Sequence, residues 1–296
     1  MAATAPRSVC PVGATLGEGP LWLARDAALW FVDIKGKRVH RFDPDQGMLK
    51  SWPAPSQPGW ILPIADGGLM VGLQSGLHRF DPATGTFDPH LAPEPHLPGN
   101  RLNDATVAPD GQLWFGSMDD AENAATGRIY RLARGQAQAA AAIDPVVITN
   151  GPAFAPDGRT LYHVDTLGGR IHAFAVDDDG APGASRLFAT IDPADGHPDG
   201  PTVDSEGCLW IGLFGGGAVR RYSPAGELME TVRFPVANVT KIAFGGDDLR
   251  TAYATTARKG LDECQLAAQP LAGDLFAFRV DTPGLPVQPI RINHPG

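Results

Sequence analysis

The chain of 296 residues is 43% hydrophobic, enough to bury a large core. Its formal net charge of −9 argues against nucleic acid or an anionic membrane as the main partner, because both need a clustered basic face and only "ARKG" near Lys259 is locally basic. No stretch reaches the roughly 18 apolar residues that span a bilayer, and Cys10, Cys208 and Cys264 lack the spacing of a disulfide framework or zinc knuckle.

The N-terminal "MAATAPRSVCPVG" has no apolar signal core, so a soluble cytoplasmic protein is expected. From there one theme recurs: a short apolar run, a turn, and a second run ending in Asp, Pro or Gly. The core run of each unit opens at Leu29, Leu69, Leu113, Leu161, Leu209 and Ala252, a period of about 40 to 48 residues. The units read "ALWFVDIKGKRVHRFDPDQG", "GLMVGLQSGLHRFDPATG", "QLWFGSMDDAENAATGRIYRLARG", "TLYHVDTLGGRIHAFAVDDDG", "CLWIGLFGGGAVRRYSPAG" and a longer last unit from "TAYATTARKGL" to "DLFAFRVDTPG".

These runs are β-branched and aromatic, and 36 Gly and 28 Pro spread along the chain supply the turns. Only "GQAQAAAAI" has helical composition, between neighbours that read as strand and loop. Six units of four strands predict an all-β, six-bladed β-propeller with four antiparallel strands per blade, formed as one domain over residues 1–296. The segment around Val9 to Val12 is expected to close the ring as an outer strand beside the C-terminal strands.

In such a ring the first strand of each blade lines the channel. Aligning "GEGPLW", "LNDATV", "TNGPAF", "PDGPTV" and "VTKIAF" puts Glu18, Asn103, Asn150, Asp199 and Thr240 at equivalent places, with "PGWIL" at Trp60 leading into the remaining blade. Three of these residues, Glu18, Asn150 and Asp199, precede Gly-Pro. Two carboxylates and an amide are hard oxygen donors with a summed charge of −2, a set that suits one divalent cation. Gly permits close backbone approach and Pro fixes φ, so both help to aim the preceding side chain. The competing reading is turn punctuation, for which Gly-Pro is common.

The motifs "LGEGP", "RLNDATVAPDGQLWFG", "ITNGPAFAPDG", "PDGPTVDSEGCLWIGLFGGGAV" and "NVTKIAFGG" resemble those of the SMP-30/gluconolactonase family, regucalcin-like propellers that hydrolyse sugar lactones. The resemblance runs along nearly the whole chain, and "NVTKIAFGG", "TTARKGL" and "YHVDTL" look most like bacterial aldonolactonases. It implies metal ligation by Glu18, Asn150 and Asp199 and substrate contacts from Arg101 and Asn103. It also implies a sugar-holding acid after "GSM", where Asp120 and Glu122 are the candidates and Asp119 a third possibility. His197 stands where the family often has another residue. The implied cofactor is one divalent cation, whether calcium, zinc, manganese, magnesium or iron(II), and the implied partner is a small sugar lactone, with a monomer as the simplest state.

The expected chemistry is lactone hydrolysis with the metal as Lewis acid and Asp199 as general base. Structural readings stand beside these roles. Arg101 could pair with Asp104 at the surface, Lys241 could simply neutralise excess acid, and Trp60 could be a sugar-facing wall or core. His163 and His172 fit strand patterns better than ligation. No GxSxG, HExxH or Walker A motif supports other hydrolytic or nucleotide chemistry. Two alternatives remain: a non-enzymatic propeller that binds a metal or a partner, and a phosphotriesterase-like hydrolase of the same architecture.

Overall fold

The computed structural model describes residues 3–133, 136–140 and 142–291. Six four-stranded antiparallel sheets succeed one another along the chain. Their innermost strands are Gly17–Leu23, Pro58–Pro63, Asn100–Val107, Thr149–Phe154, His197–Val203 and Val239–Gly245. Each packs against the next in sequence order, and the sixth returns to the first, which makes a closed six-bladed propeller.

The second strand of each blade begins at or beside the residues that set the sequence period. Leu29, Leu113, Leu161, Leu209 and Ala252 are fully buried and Leu69 nearly so, because the sheets stack face to face around the ring and leave those positions no solvent. Trp60 belongs to this core: it is 1% exposed, lies against Gly72 and packs near Phe115 at 6.3 Å. His163 is buried opposite His172 on the neighbouring strand, and burial pushes its imidazole down to about 3. Cys10 and Cys208 are buried free thiols and Cys264 is an exposed one.

Closure is made by Arg7–Cys10, which pairs antiparallel with Leu275–Arg279 in the sixth blade; it begins two residues before the expected segment and overlaps it at Val9 and Cys10. The stretch with helical composition contributes a strand instead, Gln136–Ala139, which completes the third blade. A short α-helix lies elsewhere, at Glu263–Ala268 in the long last unit, where the Asp262 side chain and Gln265 form a capping box. No helix among the described residues is long and apolar enough to cross a membrane.

One irregularity repeats around the ring. All six innermost strands shift register against their second strand, between Glu18 and Leu21, Pro58 and Trp60, Leu102 and Ala105, Asn150 and Ala153, Pro198 and Pro201, and Val239 and Ile242. These are β-bulges, which bend a strand and re-aim its side chains. At the other end of the channel the segment after Asp281 crosses the blades, with Ser205 N–H donating to Pro283 O, Gly284 N–H to Leu249 O and Ile290 N–H to Pro63 O.

Candidate functional site

The Gly-Pro sequences lie in three of these bulges, those of blades one, four and five. Gly19 and Gly151 have φ of 54° and 78°, in the left-handed region that only glycine enters cheaply, so each strand turns sharply just after Glu18 and Asn150. The consequence is a cavity of about 240 Å³ at one mouth of the channel, lined by Glu18, Asn150 and Asp199 together with Arg101 and Asn103. Four of the five aligned residues, Glu18, Asn103, Asn150 and Asp199, therefore meet from four different blades, and Arg101, which the alignment did not include, stands beside them.

The position equivalent to Glu18 in the second blade is Gly59. A Cβ there would lie 2.5 Å from Leu102 O and 2.7 Å from Asn103 O, so the backbones of blades two and three meet where a sixth side chain would stand. Thr240 is the other departure. Its hydroxyl lies among Gly17 O at 2.7 Å and the Thr255 oxygens, within the wall, and it does not line the cavity.

Hydrogen bonds fix the amides. Asn103 Nδ2 donates to Thr149 O at 2.6 Å and to Asn150 Oδ1 at 3.2 Å, which uses both of its amide hydrogens. Asn150 Nδ2 donates to Thr166 Oγ1 at 2.9 Å, so its Oδ1 is the atom left with a lone pair for a ligand. Arg101 Nη1 donates to Asn103 Oδ1 at 2.6 Å and Nε donates to Asp120 Oδ1 at 2.9 Å. Asp104 is not the partner of Arg101: Asp104 pairs with Lys241 at 2.5 Å, and both are buried.

The three acids after "GSM" separate clearly. Asp119 turns back to cap the amides of Asn123 and Ala124 and is held below the usual carboxylate range by those bonds. Asp120 braces Arg101 and also accepts from Lys35 at 2.6 Å and Gln57 at 2.9 Å. Burial raises its carboxyl, but those two hydrogen bonds and the Arg101 charge outweigh it and the net shift is downward. Glu122 alone lines the cavity, ion-paired with Lys259. His197 also lines it, beside an apolar wall that includes Ile148, Leu167 and Phe214.

Gly59 and the apolar wall are not singled out by the sequence, which offers Asp104 only as a partner for Arg101 and Lys259 only as part of a basic stretch. Asp104 stood in view beside Asn103, and the strand period extended into "PGWIL" would have reached Gly59. Lys259 and Leu167 sit on loops outside any period.

Charge at the centre is unbalanced. Burial, then the Asp104 carboxylate, pushes Glu18 up to about 7, against the pull of the Gly19 N–H, Lys241 and Arg101. Asp199 is held well above the carboxylate range by burial first and then by Glu18 and Asp104. A divalent cation between two carboxylates would supply the missing positive charge. Among the described residues no trio drawn from His, Cys, Asp and Glu alone gathers as a metal cluster; beside Glu18 and Asp199 the remaining oxygen available to a cation is the Asn150 amide oxygen. Glu18 gives one oxygen to the Gly19 N–H at 2.9 Å and keeps the other. An all-oxygen set of this charge fits a hard divalent ion with positions left for water or substrate.

Residues 16–258 match the family model described as the SMP-30/gluconolactonase/LRE-like region. The chain is 37% identical to the 6-deoxy-6-sulfogluconolactonase of Pseudomonas putida over 91% of this chain and 92% of that one. It is 35% identical to the L-arabinolactonase of Azospirillum brasilense over 92% and 90% of the two chains. The crystal structure of the calcium-binding protein regucalcin from Agrobacterium tumefaciens superposes with a TM-score of 0.92 at 30% identity, covering 97% of both chains. The chain thus belongs to the SMP-30/gluconolactonase family.

Proposed function

We propose that this protein is a metal-dependent lactonase that opens a sugar aldonolactone to the aldonic acid. The observation that carries the reading is the convergence of Glu18, Asn150 and Asp199 on one cavity with Arg101 and Asn103. Two relatives aligned over nine-tenths of the chain are named for sugar lactones, and the calcium-binding character of the Agrobacterium protein supports a divalent cation.

A cation held by Glu18, Asn150 and Asp199 supplies Lewis acidity at the lactone carbonyl oxygen. Asp199 takes the proton of the attacking water as the new carbon–oxygen bond forms, and returns it to the ring oxygen as the ester bond breaks. No described residue hydrogen-bonds the Asp199 carboxylate, which leaves an oxygen for that exchange. Arg101, its Nε fixed by Asp120 and its Nη1 by Leu102 O and Asn103 Oδ1, presents its Nη2 N–H groups to ring hydroxyls. Asn103 has no amide hydrogen left, so its offering to the sugar is the second lone pair of Oδ1. Glu122 and Lys259 receive the distal hydroxyls at the rim, and the Ile148, Leu167 and Phe214 wall takes the sugar's C–H face.

Replacing Asp199 by Asn keeps shape and removes the base, and kcat on a pentono- or hexonolactone is expected to fall by roughly 10²–10⁴-fold with the fold retained. Near-normal turnover would remove Asp199 from the base role. A panel of sugar lactones, aryl esters and organophosphates measured on the same sample reads the substrate class, and preference for an organophosphate would overturn the lactonase reading.

A further inference from the structure

A buried ion pair crosses the channel just beneath this site, and the chemistry above makes no use of it. Lys241 Nζ lies 2.5 Å from Asp104 Oδ1, with side chains 9% and 4% exposed. Asp104 comes from the bulge of blade three and Lys241 from the bulge of blade six, on opposite sides of the ring. Above the pair lies the cavity of Glu18, Asn150 and Asp199; below it lies a second cavity of about 320 Å³, lined by Lys241 with Pro20, Ala105, Ala153 and Pro201.

Its remaining contacts go to the bulges that carry two of the three oxygen donors. Asp104 Oδ2 accepts the Gly151 N–H at 2.9 Å, the amide directly after Asn150. The Lys241 stem fills the space over Gly200, directly after Asp199, where a Cβ would fall 2.7 Å from the lysine's Cβ, Cγ and Cδ. A third bond, from Ala105 N–H to Asp104 Oδ1 at 2.8 Å, keeps the carboxylate from turning.

Stability does not account for such a pair. Desolvating two charges costs about as much as their attraction returns, and well-packed apolar residues of the same volume are often as stable or more so. The pair also adds no net charge to the site. Geometry is what it provides: a rigid link of fixed length between opposite blades, bonded to the residue after Asn150 and packed on the residue after Asp199. We propose that Asp104 and Lys241 are positioning residues, a cross-channel brace that sets the spacing of Asn150 and Asp199. The proposal rests on the reading of those two residues as cation ligands, and it deepens that reading by naming what holds them apart.

The double variant Asp104→Leu/Lys241→Met preserves net charge and branched shape and removes both the ion pair and the acceptor of the Gly151 N–H. In metal-free protein, hydrogen–deuterium exchange of peptides covering residues 149–154 and 198–203 is expected to accelerate by about ten-fold, the size of one lost buried hydrogen bond, with the second strands of the blades unchanged. Titration with Mn²⁺ is expected to show affinity weaker by about ten-fold. Exchange within two-fold of wild type in both segments overturns the brace, whatever Mn²⁺ does. Accelerated exchange in the variant together with no Mn²⁺ binding by the wild type would retire the metal reading and leave the brace standing. If the double variant does not fold, Lys241→Met alone carries the same exchange measurement, with the same two outcomes.

Discussion

Glu122 and Lys259 form an ion pair at the mouth of the central cavity, reaching toward one another from loops on blades three and six, which face each other across the ring. Glu122 holds a φ of 59°, an uncommon conformation for a residue with a side chain and one that clusters at functional sites. Both side chains are 31% exposed, so the pair contributes little to stability, on the order of 0–1 kcal/mol.

Its expected effect is therefore on substrate rather than fold. Glu122→Gln and Lys259→Met should each raise KM for the preferred lactone several-fold, with a smaller change in kcat and a melting temperature close to wild type. Steady-state kinetics on both variants decide this, and an unchanged KM in both would remove the pair from substrate recognition.

Gly59→Ala tests how blade two keeps clear of the site. The added methyl would meet Leu102 O and Asn103 O at 2.5 and 2.7 Å, and both are backbone atoms that cannot rotate away. Forcing the strands apart should cost roughly 1–3 kcal/mol, read as a lower melting temperature. Because the displaced backbone carries Asn103 and follows Arg101, KM should rise as well. A variant that melts and binds like wild type would show that the contact yields freely.

Much of this site was legible because the propeller repeats. Equivalent positions in a periodic sequence become neighbours around one axis, so Glu18, Asn150 and Asp199 could be superimposed from three copies of one tripeptide. The bulge was not legible as such: Gly-Pro announces a turn, and only the pairing register shows the turn to be inside a strand. Contacts between loops of different blades follow no period, which is why Lys259 with Glu122 and Lys35 with Asp120 appear only in three dimensions. Arg101 illustrates the same limit, since Asp104 is near in sequence but Asp120 is its partner. The short helix at Glu263–Ala268 was hidden in the longest repeat, although "DECQ" spells its capping box.

The buried acids give a pH signature. In metal-free protein burial and the Asp104 carboxylate push Glu18 up to about 7 from an ordinary value of 4.5. Its protonated form is the one the fold favours, so stability is lost as pH rises from about 4.5 through 7, and Asp199 adds in the same direction. Buried His40 and His163, pushed down to about 4 and 3, act oppositely below their ordinary 6.5, so the informative quantity is a difference. The melting temperature of Glu18→Gln minus that of wild type, both metal-free, should grow between pH 5 and pH 8, by on the order of 5 °C. A difference independent of pH would show that Glu18 is already ionised at the lower end.

The central claim, one divalent cation held by Glu18, Asn150 and Asp199 and required for lactone opening, is tested most directly by initial rates on protein stripped with a chelator. Xylono-, arabinono-, galactono- and gluconolactone serve as substrates, with spontaneous hydrolysis subtracted and metal content measured on the same sample. The account predicts that turnover falls to background on stripping and returns when calcium, magnesium, manganese, zinc or iron(II) is restored, with no recovery in Asp199→Asn. Full-rate turnover by protein shown to contain no divalent metal would contradict it.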